Sequence, residues 1–232
     1  MKPSNQRVVI ILGPPGSGKG TQANLLAEKL SLLHLETSSI IESHLRNAKE
    51  GEAVTIDGVA YLLDEEKKLR DTGQLMSPPL IHFWLAQRVR ELHQEGKSIV
   101  FSGSPRTLYE AEQLMPVLEE LYGKEAITVL NIELSEEDSL FRNSHRRICE
   151  LMRHSVLYSP ETANLKTCIL DGSALVSRGA LDDPETIKKR LVEYRERTLP
   201  ILDFLKTRGF VVVTINGAPS VAEVFGEILK NL

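Results

Sequence analysis

GPPGSGKGT, at residues 13–21, is the stretch of sequence that decides the fold. It follows five apolar residues, 8–12, which indicate a strand buried on both faces. It runs into residues 19–30, whose apolar side chains recur at helical spacing. Glycines between a strand and a helix let backbone N–H groups converge on one anion, and the helix N-terminus adds positive potential. The sequence therefore predicts a phosphate-binding loop in which Lys19 neutralises the phosphates, rather than an ordinary glycine turn.

Segments typical of strands and of helices alternate along the rest of the chain. We expect strands at 98–101, 127–134 and 210–215, and helices at 77–95, 109–121, 136–147, 184–208 and 220–229. Strands alternating with helices predict an α/β fold with a parallel sheet covered on both faces. Pro200 should kink or break the long helical segment, because proline lacks the N–H that a helix interior needs.

Two stretches interrupt this alternation. Residues 37–76 are polar and helix-rich, whereas residues 148–181 are irregular and contain both cysteines of the chain. Irregular stretches of this size within a compact domain usually form functional lids or small subdomains. We therefore expect one core that is interrupted twice, with the core at 1–36, 77–147 and 182–232 and the inserts at 37–76 and 148–181.

Composition excludes several classes of protein. With 232 residues and 41% hydrophobic content, the chain is long enough for one large domain with a sizeable core. The net charge of −4 argues against a general nucleic-acid-binding protein, which needs a basic surplus. Two cysteines are too few for a disulfide-dense secreted scaffold, and the early apolar run is too short for a signal peptide or a membrane helix. We expect a cytoplasmic monomer that binds small molecules and neither nucleic acid nor membrane.

The loop and its continuation, GPPGSGKGTQA, resemble the phosphate loop of the adenylate kinase family of nucleoside monophosphate kinases. In this loop Gly20 separates Lys19 from the hydroxyl residue Thr21, and the likeness extends from residue 8 to residue 229. The resemblance implies a P-loop NTPase core with a five-stranded parallel sheet, one insert that closes over a nucleoside monophosphate and a lid that closes over ATP. It also implies reversible transfer of the γ-phosphoryl group of ATP, bound with Mg²⁺, to a nucleoside monophosphate, above all AMP. The implied ATP contacts are Gly16, Ser17, Gly18, Lys19, Gly20, Thr21, Arg142 and Arg146.

Arginines are the main phosphate contacts that the resemblance implies, because guanidinium groups bind phosphates bidentately. The implied catalytic set is Lys19, Arg106, Arg142, Arg146, Arg178 and Arg190. Arg106 lies in GSPRT, residues 103–107, directly after a predicted strand, and its implied partner is the phosphate of the monophosphate. Arg142 and Arg146, four residues apart, should share one helix face. Taken singly, each arginine is more often a solvated surface charge, and only the joint pattern favours a site. The implied monophosphate contacts are Thr37, Met76, Gly103, Arg106, Glu110, Arg178 and Arg190.

The two cysteines occupy positions at which the lids of some family members bind zinc. Cys149 and Met152 fall in the slots of one Cys-x2-Cys pair, and Cys168 and Asp171 fall in the slots of the second pair. Thiolates and a carboxylate are credible zinc ligands, but the thioether of Met152 is not. His154 could complete a tetrahedral set. Two alternatives stay open: a structural zinc held by Cys149, His154, Cys168 and Asp171, or two small apolar side chains that pack the lid.

Three further positions depart from the family pattern. Glu42 stands where a family arginine contacts the monophosphate, although Arg46 lies one helical turn later. Ser102 replaces an aspartate that orders water around Mg²⁺, and Glu110 replaces a glutamine that contacts the base. These changes leave the ATP loop intact, and they keep two alternatives open: an acceptor other than AMP, and a regulator that binds ATP without turnover. A P-loop ATPase coupled to a partner fits less well, because Ser102 stands where such an enzyme carries an acidic residue.

Overall fold

The computed structural model of the protein describes residues 6–46, 48–71, 76–177 and 179–232. In chain order its helices and strands are β1 (Val8–Leu12), α1 (Lys19–Leu30), β2 (Leu33–Leu35), α2 (Thr37–Arg46), β3 (Ala53–Ile56), β4 (Val59–Leu62), α3 (Leu63–Asp71), α4 (Pro78–Gln94), β5 (Ile99–Ser102), α5 (Leu108–Tyr122), β6 (Ile127–Glu133), α6 (Glu136–His145), β7 (Arg147–Cys149), β8 (Ser155–Val156), β9 (Leu175–Val176), α7 (Pro184–Glu193), α8 (Pro200–Thr207), β10 (Val212–Asn216) and α9 (Val221–Leu229).

The core of the molecule is a five-stranded parallel sheet in the order β10-β6-β1-β5-β2. Strand β1 lies in the middle and is buried along its whole length, as its unbroken apolar sequence predicts. Successive side chains point to opposite faces of the sheet. Val8 and Ile10 pack in the core beneath α4, α5 and α8, while Val9 and Ile11 pack in the core beneath α1 and α9. The predicted parallel sheet flanked by helices is confirmed.

Helix ends follow the chemistry of their terminal residues. Helix α4 begins at Pro78, where the missing N–H of proline costs nothing. Ser220 caps α9, a helix that the sequence predicts, in a capping box with Glu223. The long segment 184–208 breaks as expected: a π-helical turn, Tyr194–Thr198, separates α7 from α8, which begins at Pro200. The π turn accommodates a proline that cannot donate to the preceding turn.

One helix prediction was too long. The segment predicted as a helix over 136–147 leaves the helical conformation after His145, and Arg146 is extended, with φ −67° and ψ 138°. Arg142 and Arg146 therefore do not share a helix face, and that prediction is wrong. The chain turns at this point into the small sheet of the second insert, and that change of direction is a tertiary effect that local spacing does not encode.

The two inserts have different small folds. In the first, α2 and α3 flank a β3-β4 hairpin, and they pack with α4 around an apolar cluster that includes Trp84, Leu80 and Met76. The hairpin turns at Asp57 and Gly58, both with positive φ, which is the turn chemistry that the helix-rich interpretation of this stretch overlooked. The second insert contains a three-stranded antiparallel sheet in the order β8-β7-β9. Among the described residues, no helix is long and apolar enough to cross a membrane.

Candidate active site

The phosphate loop joins β1 to α1 at the carboxyl end of the sheet. Gly18 caps α1 in a left-handed conformation, with φ +88°, so the first N–H groups of the helix point out of its end. A Cβ on Gly16, whose φ is +79°, would lie 2.5 Å from the Nδ2 atom of Asn143. The loop therefore needs glycine at this position both for its backbone conformation and for the close approach of α6.

Helix α6 packs against the phosphate loop through buried polar side chains. The Ser139 hydroxyl donates to the Pro15 carbonyl at 2.6 Å, and the Asn143 amide donates to the Ser139 carbonyl at 2.7 Å. Both side chains are almost fully buried. Because buried hydrogen bonds fix geometry, α6 holds the loop in one shape.

Lys19 curls back over the loop that precedes it. Its ammonium group donates to the carbonyls of Gly13 and Pro14, at 2.7 Å each. Removal from water, followed by repulsion from Arg106, Arg190 and Arg146, lowers the pKa of Lys19 from about 10.5 to about 7. The lysine and three arginines therefore form one field of positive charge around the loop, and a polyanion would relieve their repulsion.

A pocket of about 140 Å³ opens beside the loop, at the centre of this charge. It is lined by Lys19 and Gly103 and by three arginines, Arg106, Arg190 and Arg197, and Glu193 is its one carboxylate among the described residues. A second cavity, of about 410 Å³, lies between α2 and α4 beside Trp84. The smaller cavity is the candidate site, because it contains the phosphate loop and the convergent cations.

Arg106 is held in place from three sides. Its Nε atom donates to the Gly103 carbonyl at 2.7 Å, and its backbone N–H donates to the Glu110 carboxylate at 2.8 Å. Its own carbonyl accepts from the Thr198 hydroxyl at 2.7 Å. Glu110 is buried, and burial raises the pKa of its carboxyl group. This carboxyl therefore organises the loop around Arg106, whether or not it also contacts a base.

Arg197 and Thr198 are site residues that the sequence analysis missed. Both come from the π-helical turn and line the pocket, and no described residue forms a hydrogen bond or an ion pair with the Arg197 guanidinium. The signal in the sequence is spacing: Arg190, Tyr194 and Arg197 recur at intervals of four and three, which places them on one face of a helix.

The arginines near the second insert are anchored separately. Arg142 donates to the carbonyls of Gly217 and Ala218, at 2.9 and 2.8 Å, after the end of β10. Arg146 pairs with the buried Asp182 at 3.1 Å and lies close enough to Lys19 to lower its pKa. Arg142, on α6, and Arg146, directly after α6, are therefore anchored to different partners. Arg178 lies outside the described residues.

The predicted monophosphate contacts are only partly brought together. Gly103, Arg106 and Arg190 line the pocket. The Thr37 hydroxyl is buried against the Ser104 hydroxyl at 2.5 Å, and the Met76 side chain packs in the apolar cluster of the first insert. In that insert the side chains of Glu42 and Arg46 are exposed and pair with each other at 3.4 Å.

Four potential ligands meet in the second insert. One donor atom from each of Cys149, His154, Cys168 and Asp171 lies within 4.8 Å of the other three. Cys149 Sγ is 3.0 Å from Asp171 Oδ2, which in turn is 3.2 Å from His154 Nδ1; Cys168 Sγ is 3.6 Å from the same nitrogen. Burial and the adjacent carboxylate raise the pKa of Cys149, while the Cys149 thiol and the Ser173 N–H lower that of Asp171. Met152 is 62% exposed and is absent from the group.

Known proteins resemble the chain along nearly its whole length. A model of the family described as Adenylate kinase matches residues 11–210. The adenylate kinase of Methanothrix thermoacetophila is 35% identical over 225 residues, which are 97% of each chain. The adenylate kinase of Caldicellulosiruptor bescii is 36% identical over 227 residues, 97% of this chain and 98% of the relative. The adenylate kinase of Clostridium botulinum, strain Loch Maree, is 34% identical over 223 residues, 95% of each.

Proposed function

The chain belongs to the adenylate kinase family, and we propose that it transfers the γ-phosphoryl group of ATP reversibly to AMP, so that ATP and AMP become two ADP. The observation that carries the proposal is the pocket in which Lys19, Arg106, Arg190 and Arg197 converge beside the phosphate loop. Phosphoryl transfer depends on positioning and on neutralisation of charge, which is what such a pocket supplies. AMP is favoured as the acceptor because the relatives are named adenylate kinases.

In the proposed reaction an oxygen of the AMP phosphate attacks the γ-phosphorus of ATP. The bond from that phosphorus to the β,γ-bridging oxygen breaks, and the electron pair stays on the departing ADP. Lys19 and the loop N–H groups hold the β- and γ-phosphates, Arg142 and Arg146 bind on the ATP side, and Arg190 neutralises the transferring group. Arg106 binds the acceptor phosphate. No side chain needs to bond covalently to the phosphoryl group.

Magnesium bound with ATP supplies charge neutralisation at the β- and γ-phosphate oxygens. The residues present suit a hard cation, because hydroxyl oxygens of Thr21, in the first turn of α1, and of Ser102, at the end of β5, lie at this edge of the sheet. Neither residue carries charge, so the phosphates themselves would provide most of the attraction for the ion.

Arg197 is proposed as the cation that compensates for Glu42. An acid at position 42 would repel the acceptor phosphate, and its pairing with Arg46 on an exposed surface keeps both side chains out of the pocket. Arg197 lines the pocket with its guanidinium unpaired among the described residues. A guanidinium placed there adds a charge-assisted hydrogen bond to the same phosphate.

The two inserts, 37–76 and 148–181, are proposed to close over AMP and over ATP respectively, with Arg178 contributing from the end of the second insert. Closure excludes water, which favours transfer to AMP over hydrolysis. The second insert is therefore called the lid below.

The lid is proposed to bind one zinc ion through Cys149, His154, Cys168 and Asp171. Zinc bonds of about 2.0–2.3 Å at tetrahedral angles place neighbouring donors about 3.5 Å apart. Three separations within the group are 3.0, 3.2 and 3.6 Å, and all four donor atoms lie within 4.8 Å of one another, which supports such a site. The ion would fix a lid that has only short strands and little apolar core of its own.

The acceptor is tested by measuring ADP formation from ATP, with Mg²⁺, in the presence of AMP, CMP, UMP or GMP. The proposal expects the highest kcat/KM with AMP, and Lys19→Met as a control should abolish turnover with every acceptor. A preference for another monophosphate would overturn AMP as the acceptor and leave the reaction type intact. ATP binding without ADP formation from any acceptor would instead favour the nucleotide-binding regulator, for which Glu42 and Ser102 are the supporting observations.

A further inference from the structure

The two sulfur atoms of the lid lie close together although their residues come from different segments. Cys149 ends β7, and Cys168 lies in the irregular segment that precedes β9. Both side chains are buried, and their Sγ atoms are within 4.8 Å of each other. A sulfur–sulfur bond of about 2 Å therefore needs a relative shift of less than about 3 Å, which rotation of the side chains and adjustment of two turns supply. Because the chain has only these two cysteines, one internal cross-link is possible.

Solvent lies close to this buried pair. The turns that follow the two cysteines are exposed, with Leu151 67% and Leu170 73% accessible. His154 Nδ1, 3.6 Å from Cys168 Sγ, belongs to a side chain that is 38% exposed. A sulfur deep in an apolar core is inert, whereas Cys168 contacts a ring that is itself in contact with water. A molecule as small as hydrogen peroxide therefore has a short path to Cys168 beside the His154 ring.

The composition of the ligand group makes it sensitive to oxidation. Two of its four donor atoms are sulfurs, and the other two are a His154 nitrogen and an Asp171 oxygen. A disulfide has no thiolate charge with which to bind zinc, so one oxidation event removes half of the donors. Asp171 stays anchored without metal, because its Oδ1 atom accepts from the N–H and the hydroxyl of Ser173, at 3.0 and 2.8 Å. One nitrogen and one carboxylate are too few for a structural zinc site, which needs four ligands.

We propose that Cys149 and Cys168 form a modification site, at which hydrogen peroxide converts the pair of thiolates into a disulfide within the lid and releases the zinc ion. One thiolate attacks a peroxide oxygen; the O–O bond breaks, and the departing hydroxide takes up a proton and becomes water. The second thiolate attacks the sulfur of the resulting sulfenic acid, and a second hydroxide leaves and becomes water. The two sulfurs together lose two electrons, and the peroxide gains them. The inference rests on the proposed zinc site only for the release of metal.

The disulfide joins the same two segments that zinc joins. It links the end of β7 to the segment before β9, around a sheet in which β8 and β9 have two residues each. A cross-link restricts the unfolded lid as a bound metal does, so the oxidised lid remains ordered after the ion has left. The reduced, zinc-free lid has neither constraint. The lid therefore has two interchangeable clamps, and a thiol reductant with zinc restores the first.

The test treats zinc-loaded wild-type protein with hydrogen peroxide and measures the released metal, the free thiols after denaturation and the intact mass. The inference predicts that both thiols disappear with a loss of about 2 Da from the metal-free mass, that about one zinc leaves per disulfide, and that a thiol reductant with zinc reverses both changes. Peptide mapping should find Cys149 joined to Cys168. Met152→Leu, which removes an exposed thioether that peroxide also oxidises, is the control and should give the same disulfide. Cys149→Ser should form no disulfide within the chain.

Cysteines that gain oxygen without joining, a disulfide between two chains, or zinc that remains bound after both thiols are lost would overturn the inference. A parallel reaction uses wild-type protein stripped of zinc by a chelator. The disulfide should form there too, and the Tm should rise by several degrees above that of the reduced, zinc-free protein. An unchanged or lower Tm would overturn the disulfide as a second clamp.

The two reactions separate this inference from the proposed function. Protein that never binds zinc but forms the disulfide would refute the proposed zinc site and the release of metal, and would leave the modification site standing. Neither measurement depends on phosphoryl transfer, so a protein that behaves as expected here but forms no ADP would refute only the proposed reaction.

Discussion

Binding of ATP should draw a proton onto Lys19. In the free protein the pKa of Lys19 is about 7, because its ammonium group is removed from water and faces Arg106, Arg190 and Arg146. The phosphates of ATP cancel that repulsion and should return the pKa toward its usual value of about 10.5. Lysine that is neutral before binding must therefore become protonated on binding.

The size of the effect follows from the pKa. At pH 8, one unit above a pKa of about 7, about nine-tenths of Lys19 is neutral, so binding should take up about 0.9 proton per ATP. The uptake should fall to about 0.5 at pH 7 and about 0.1 at pH 6, as protonation of the free lysine becomes complete. By linkage, the affinity for ATP should fall about tenfold for each pH unit above 8.

Calorimetry measures this uptake directly. ATP with saturating Mg²⁺ is titrated at pH 8 into protein in buffers of different ionisation enthalpy, and the slope of heat against that enthalpy counts protons. At pH 8 the nucleotide phosphates are already ionised, so they contribute little. Lys19→Arg, which keeps a permanent charge, should bind ATP with a slope near zero. Uptake below about 0.2 proton in the wild type, or equal uptake in Lys19→Arg, would refute the reasoning, since a pKa near 7 requires about 0.9.

Three further predictions concern the acceptor, the lid and the loop. Arg197→Met should raise the KM for AMP about tenfold with little change in the KM for ATP, because a charge-assisted hydrogen bond to the acceptor is lost. Arg195→Met is the control and should change neither KM. An Arg197→Met variant whose KM for AMP and KM for ATP rise equally in steady-state assays would contradict the role of Arg197. Purified wild-type protein should contain about one zinc per chain by elemental analysis. The Cys168→Ser variant should lose the metal, and its Tm should be about 5 °C lower than that of the wild type. Wild-type protein that contains no zinc, together with a Cys168→Ser variant of unchanged Tm, would contradict the site. Gly16→Ala should weaken ATP binding about tenfold or more in a calorimetric titration. An alanine at this positive φ costs about 1 kcal/mol in backbone strain alone, and its Cβ would press on α6. Wild-type affinity for ATP in this variant would contradict the described loop.

Features that depend on neighbours in the sequence could be predicted well. The phosphate loop, the break before Pro200 and the cap at Ser220 each follow from the chemistry of a few consecutive residues. The buried strand β1 follows from five apolar residues in a row, because only a central strand covered on both faces buries them all.

Features that depend on distant contacts could not be predicted. Arg146 leaves the helix because the chain turns there towards the lid, and its guanidinium meets Asp182, which follows the lid 36 residues later in the sequence. The side-chain contacts of His34, on β2, are a second example, because they join it to Asn24 on α1 and Ser102 on β5. The β3-β4 hairpin is a different case, because the pair Asp57 and Gly58 is typical of a hairpin turn. The hairpin was predictable, but the helical segments elsewhere in the insert led to a helix-rich interpretation of the whole stretch.

Transfer of label from [γ-³²P]ATP to unlabelled AMP tests the central claim most directly. The pocket of Lys19 and three arginines predicts that the label appears in ADP, at a rate that depends on the AMP concentration and vanishes in Lys19→Met. Label that remains in ATP although ATP binds, or that appears only as inorganic phosphate, would contradict the proposed phosphoryl transfer.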